Sequence, residues 1–209
     1  MMKLKTLYAA TALALLAMSS AQAANVASGK LWKVPEAIAK NAILSNVPVT
    51  PADVTFDVNA PFNFSSGGGY SVLNFLNSSS AFNIVGSAGT LSSQLDAAGT
   101  GTLMYFTGMV TVTTGQVFSV THDDGLTLII GGLNLGFNPA PTAPVTSFIT
   151  YTGASGNLPF QLVYGECCGA PAVLQVDLPF TAAVPEPQTY ALMLGGLGLV
   201  GFMARRRKG

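Results

Sequence analysis

Two short stretches carry most of the side chains that could do chemistry: His122-Asp123-Asp124-Gly125 and Glu166-Cys167-Cys168. Hydrolysis of a glycoside needs two carboxyl groups about 5 to 10 Å apart, and Glu166 with Asp123 or Asp124 are the combinations on offer. His122, the sole histidine, stands beside two carboxylates and could act as a general base or a pH switch. A strand-end histidine satisfied by a neighbour is the simpler alternative. No Gly-x-Ser-x-Gly elbow supplies a nucleophile for it. Cys167-Cys168 is the whole cysteine complement. Adjacent cysteines can close only a small strained ring, so the options are a vicinal disulfide shaping a turn beside Glu166, or free or intermolecular thiols. With His122 they do not make a zinc set of usual spacing. Asp-Asp-Gly is also a common hairpin turn, in which Asp accepts backbone N–H bonds and Gly125 takes a positive φ.

The elements that must position these residues are strands. Runs rich in Val, Ile, Thr, Phe and Tyr occur at Val54 to Val58, Tyr70 to Leu76, Phe82 to Gly86, Thr102 to Thr113, Gln116 to His122, Leu126 to Ile130, Val145 to Tyr151, Pro159 to Tyr164 and Ala172 to Leu178. Turn signals separate them, among them Ser66 to Gly69, Gly115, Asp124-Gly125, Gly131-Gly132, Asn138-Pro139 and Gly153 to Asn157. Many short strands at spacings of about ten residues predict an all-β antiparallel β-sandwich. One short helix is expected within Lys33 to Leu44, where Pro35 suits a first turn and Glu36 faces Lys40 at i,i+4. No fixed-period repeat is visible.

Both ends read as targeting segments. Lys3 and Lys5 precede an apolar stretch from Leu7 to Met18, and Ala21-Gln22-Ala23 offers an A-x-A cleavage site, so residues 1–23 are expected to be a signal peptide. At the other end, Tyr190 to Ala204 is uncharged and is followed by Arg205, Arg206, Arg207 and Lys208. As a helix it is about 22 Å long against a hydrocarbon core of about 30 Å, so a transmembrane helix must begin near Pro187 or thin the bilayer. The basic cluster belongs on the cytoplasmic side, leaving everything before Pro187 outside. Between the ends lie an N-terminal segment, 24–48, carrying the short helix, and a single β-sandwich domain, 49–183.

The formal net charge of zero conceals an asymmetry, because six of the nine cations lie in the two targeting segments. The part between them holds three lysines against eight carboxylates, a net of −5, and no Lys or Arg occurs from Asn41 to Met203. A nucleic-acid partner needs a basic footprint and is excluded on that ground. Phosphoryl transfer is disfavoured for want of a cationic clamp or a phosphate-binding loop. A charge-poor, Ser/Thr/Asn/Gly-rich exterior suits work among neutral glycans.

Val184-Pro185-Glu186-Pro187, a Gly-rich apolar segment and Arg205-Arg206-Arg207, in that order, resemble the PEP-CTERM sorting signal of Gram-negative bacteria that make extracellular polysaccharide. The resemblance covers residues 184–209. It implies export, an exosortase-type membrane enzyme as partner, transient residence in the inner membrane, and delivery to the cell surface or extracellular matrix.

A second resemblance covers roughly Phe106 to Leu178. A strand, a Gly turn, an aromatic strand ending in Asp-Asp-Gly, a strand leading to Gly131-Gly132 and a later Tyr-x-Glu strand resemble the β-sandwich domain first seen in the anthrax protective antigen, a lectin-like fold. In its sugar-binding members an adjacent Asp pair joined by an unusual peptide bond coordinates Ca²⁺, and the metal binds vicinal sugar hydroxyls. Asp123 and Asp124 match that pair. Two hard carboxylates on a tight loop would supply part of the roughly six to eight oxygens that Ca²⁺ takes, with Asn134 and Asn138 as candidates on a second loop. The expectation is a non-enzymatic protein binding glycan or exopolysaccharide, with calcium. A purely structural envelope or matrix protein, in which Asp-Asp-Gly is only a turn, is the alternative, and a glycosidase using Glu166 a third.

Overall fold

The computed structural model describes residues 26–67, 69–179 and 196–197. Eleven strands are present among them: β1 (Val26–Pro35), β2 (Val54–Asn59), β3 (Phe62–Ser66), β4 (Phe82–Gly86), β5 (Thr100–Val112), β6 (Val117–Asp123), β7 (Leu126–Ile130), β8 (Leu133–Asn134), β9 (Val145–Thr150), β10 (Gly156–Glu166) and β11 (Ala172–Val176). They form a seven-stranded sheet, β4-β2-β1-β5-β10-β7-β8, and a four-stranded sheet, β3-β11-β6-β9. Every pairing is antiparallel.

The inner faces of the two sheets bury one core, in which Phe56, Phe62, Phe64 and Phe106 pack edge-on or tilted at centroid distances of 5.1 to 6.3 Å. Burial of this many rings is the main source of stability, at about 25 cal/mol per Å² of apolar surface. A smaller cluster lies on the outer face of the seven-stranded sheet, where Trp32, Leu103, Val163 and Cys167 are covered by Ala39 and Ala42. The Trp32 indole N–H donates to the carbonyls of Thr50 and Pro51 at 3.1 and 3.2 Å, pinning the loop over that cluster. The central strands are therefore buried on both faces.

The structure differs from the sequence reading in several places, and β3, β8 and the helix at Ala88–Ser92 lie outside the expected elements. Lys33 to Leu44 is not one helix. β1 runs on to Pro35, paired with Thr100 of β5, and only α1 (Glu36–Ala39) and a 3₁₀ turn at Leu44–Asn46 follow, although the expected Lys40–Glu36 ion pair is made at 2.5 Å. Since β1 lies between β2 and β5, the sheet begins well before residue 49. The run Tyr70 to Leu76 is not a strand but contains most of α2 (Val72–Ser78). Ser71 caps it by accepting from Asn74 N at 3.2 Å, and Val72, Phe75 and Leu76 form its buried face. A third short helix, α3 (Ala88–Ser92), is capped likewise by Ser87. The expected signal peptide lies outside the described residues. So does the expected span, save Gly196 and Leu197, and among the described residues no helix is long and apolar enough to cross a membrane.

Three sheet crossings meet at one end. β6 and β9 belong to the smaller sheet, β7, β8 and β10 to the larger, and β11 to the smaller. The links β6 to β7, β8 to β9 and β10 to β11 therefore each pass between sheets, and they converge because β7 pairs with β10 and β6 with β11.

Candidate functional site

Asp123 and Asp124 sit on the first of these crossings. Asp123 ends β6 opposite Val173 of β11, and Gly125 leads straight into β7. Asp-Asp-Gly is thus a link between sheets and not a hairpin turn. Gly125 does not take a positive φ. It is required by space instead, because a Cβ there would lie 2.0 Å from the Pro139 carbonyl oxygen. The peptide bond joining Asp123 to Asp124 is cis.

A cleft of about 400 Å³ opens over the pair, walled by Pro141–Pro144 from the second crossing and Cys167–Pro171 from the third. Both walls are tied to Asp124. Its Oδ1 accepts from Thr142 N at 3.2 Å and its Oδ2 from Cys167 N at 2.8 Å. Gly169 N donates to Asp96 Oδ2 at 2.8 Å, fixing the third crossing from its far side.

The electrostatics is that of closely placed acids. Burial, then the adjacent Asp124, pushes the Asp123 carboxyl up to about 6. Glu166 is 1% exposed and burial pushes it up to about 10, with the Asp124, Asp123 and Asp96 charges adding to the effect. It is therefore protonated at neutral pH. The Tyr164 hydroxyl lies 2.6 Å from Glu166 Oε2 and also contacts the Asp123 carbonyl. A phenol has one proton and a carbonyl can only accept, so Tyr164 donates to Asp123 O and the neutral Glu166 donates to Tyr164. Burial likewise raises the Tyr164 hydroxyl and the Cys167 thiol. No lysine or arginine pairs with Asp123 or Asp124 among the described residues. Of the nearby lysines, Lys33 spends its ammonium on Gln94 O, Leu95 O and Thr102 Oγ1, and Lys40, close enough to act on Cys167 and Cys168, is paired with Glu36.

His122 is a buried strand-end residue. Its Nδ1 donates to the Asp124 carbonyl at 2.5 Å and its ring stands edge-on to Phe137. Asn134 and Asn138 do not line the cleft. Their side-chain oxygens accept from Gly136 N and Ala140 N in local turns. The loop they were expected to serve does reach the Asp pair, but through Thr142, four residues beyond Asn138. Cys167 is buried and Cys168 exposed, and their sulfurs are unbonded in this structure. Tyr164 and Thr142 went unrecognised in the sequence. The Tyr-x-Glu spacing on β10 was the one signal for the first, and nothing local marked the second.

Comparisons with known proteins give a sorting motif and a set of similar folds. Residues 183–208 match the PEP-CTERM protein-sorting motif. The chain carries that sorting motif. It marks the protein for export and for processing by an exosortase, and it contains Val184 to Pro187 and Arg205 to Arg207; these residues lie outside the described ones. Among solved structures, the chain is similar to a PA14 sugar-binding domain from an RTX adhesin, with a TM-score of 0.50 and 19% identity, over 74% of this chain and 91% of the other. It is also similar to the PA14 domain of the MpAFP antifreeze protein, with a TM-score of 0.47 and 24% identity, over 77% of this chain and 83% of the other. The first likeness shows the fold: a PA14-type, protective-antigen-like sandwich. No curated protein matches the sequence.

Proposed function

We propose that this exported protein binds carbohydrate, without catalysis, in the cleft over Asp123 and Asp124, and that its partner is an extracellular polysaccharide at the cell surface or in the matrix. The observation that carries the reading is a carboxylate pair on the floor of an open cleft, with no cationic side chain against it among the described residues. Such a pair fits a hard divalent cation, for which calcium is the candidate. Asp123 and Asp124 would hold it, with the carbonyls of the Pro141–Pro144 loop as neighbouring oxygen donors. Bound there, calcium would offer coordination positions to vicinal sugar hydroxyls. Thr142 N and Cys167 N orient the Asp124 carboxylate, and Tyr164 and Glu166 hold the Asp123 backbone from below. Support comes also from the similar solved domain, which is described as sugar-binding.

Glu166 does not line the cleft and its proton is committed to Tyr164, so no acid is aimed at a bound glycoside from that position. The test is glycan-array binding by the full chain in calcium and in chelator, beside Asp123→Asn. Calcium-dependent binding lost in the variant supports the site, and binding indifferent to both overturns it.

A purely structural role draws on a different observation. Edge strand β9, VTSFIT, is uncharged, pairs only with β6 among the described strands, and leaves Phe148 73% exposed. Such an edge can template assembly. Self-association unaffected by chelator, with no glycan bound, would favour that reading.

A further inference from the structure

Asp124 faces two kinds of donor. Near it are the second carboxylate of the pair and two sulfurs. One carboxylate oxygen of Asp124, Cys167 Sγ and Cys168 Sγ all lie within 4.8 Å of one another. We propose that these three residues form a second cation site, for a thiophilic divalent ion of the zinc–cadmium class, distinct in chemistry from an oxygen-only calcium site.

Sulfur selects the metal. Thiolates favour soft or borderline ions over calcium or magnesium, and two sulfurs with one carboxylate make a three-ligand set of the kind that leaves a fourth tetrahedral position open. All three residues line the cleft, which is open to solvent.

The donors are held in place before any ion arrives. Cys167 is buried in the outer-face cluster, and its backbone N–H is fixed on Asp124 Oδ2 at 2.8 Å. Cys168 is exposed and sits at φ 71°, a left-handed conformation that glycine would adopt at less cost. The following Gly169 is anchored on Asp96. Spacing along the chain hid the site, because its third ligand comes from another sheet crossing, 43 residues before Cys167. On binding, two S–H bonds break, two metal–sulfur bonds form, and both protons pass to solvent, so no oxidant or reductant is needed. The site stands whether or not the Asp pair holds calcium.

The test uses the full chain with both thiols kept reduced, verified by thiol titration, and cadmium alone as the probe. Its binding is followed by the thiolate-to-cadmium charge-transfer absorption in the ultraviolet. One equivalent should saturate the band. Loss of residues that merely orient a metal ligand costs about 10- to 100-fold in affinity, so Cys168→Ser, at an exposed position, should weaken cadmium by at least about 100-fold. Asp124→Asn should weaken cadmium while keeping the two-thiolate band at saturation. Absence of a stoichiometric band in the parent chain, or an undiminished affinity in Cys168→Ser, would overturn the proposal. A chain that shows the cadmium band but no calcium response would overturn the calcium reading and leave this one in place.

Discussion

Glu166 offers the sharpest test of the site's electrostatics, because its burial makes an unusual demand on pH. In the unfolded chain its carboxyl titrates at about 4.3. In the folded chain it is held up to about 10. Between those values the folded state retains a proton that the unfolded state has lost, so stability is full below about 4.3 and falls as pH rises toward 10, by about 1.4 kcal/mol per unit. At pH 7 the accumulated loss is about 3 to 4 kcal/mol. Glu166→Gln keeps the shape, can still donate to Tyr164, and cannot ionise. Its thermal midpoint should match the parent's at pH 4 and exceed it by on the order of 10 °C at pH 7, taking about 2 to 4 °C per kcal/mol at this size. Differential scanning calorimetry at several pH values, in chelator, reads the difference directly, and shifts common to both proteins, such as that of Asp123, largely cancel. A variant destabilised equally at pH 4 and pH 7 would mean that Glu166 is not held as a neutral acid.

Other outcomes follow from packing and capping. Gly125→Ala drives a Cβ against the Pro139 carbonyl and should cost about 3 kcal/mol or more in urea unfolding, although the alanine needs no positive φ. Phe106→Ala removes a ring that contacts Phe56, Phe62 and Phe64 and should cost about 3 to 5 kcal/mol, whereas Phe148→Ala, at an exposed edge position, should stay within about 0.5 kcal/mol. Ser71→Ala strips the α2 cap and should cost about 1 kcal/mol.

Much of the sandwich was legible because β5, β6, β7, β9, β10 and β11 are β-branched or aromatic runs bounded by glycine or proline. β1 was hidden by its surroundings. Ala27, Gly29 and Leu31 are buried on one face, but Trp32 and Val34 on the other are covered by the 36–52 segment, which erases a period of two. The α2 signal was present in full, a serine cap ahead of Val72, Phe75 and Leu76, yet the apolar run around it was read as a strand. At the site the Asp pair could be found because its members are adjacent. Its turn reading failed because a hairpin and a sheet crossing look alike over three residues. Thr142, Tyr164 and the sulfurs' relation to Asp124 depend on three crossings meeting at one end, which no local pattern encodes.

If Asp123 and Asp124 hold calcium at a carbohydrate-binding cleft, the thermal midpoint of the full chain must differ between calcium and chelator. A site filled at about 100 times its Kd adds about 2.7 kcal/mol, a rise of several degrees. The response should fade as pH falls through about 6, where Asp123 takes up its proton. A calcium-dependent rise that Asp123→Asn abolishes is the expected result, and coincident curves for the parent chain at neutral pH would mean that the pair holds no calcium.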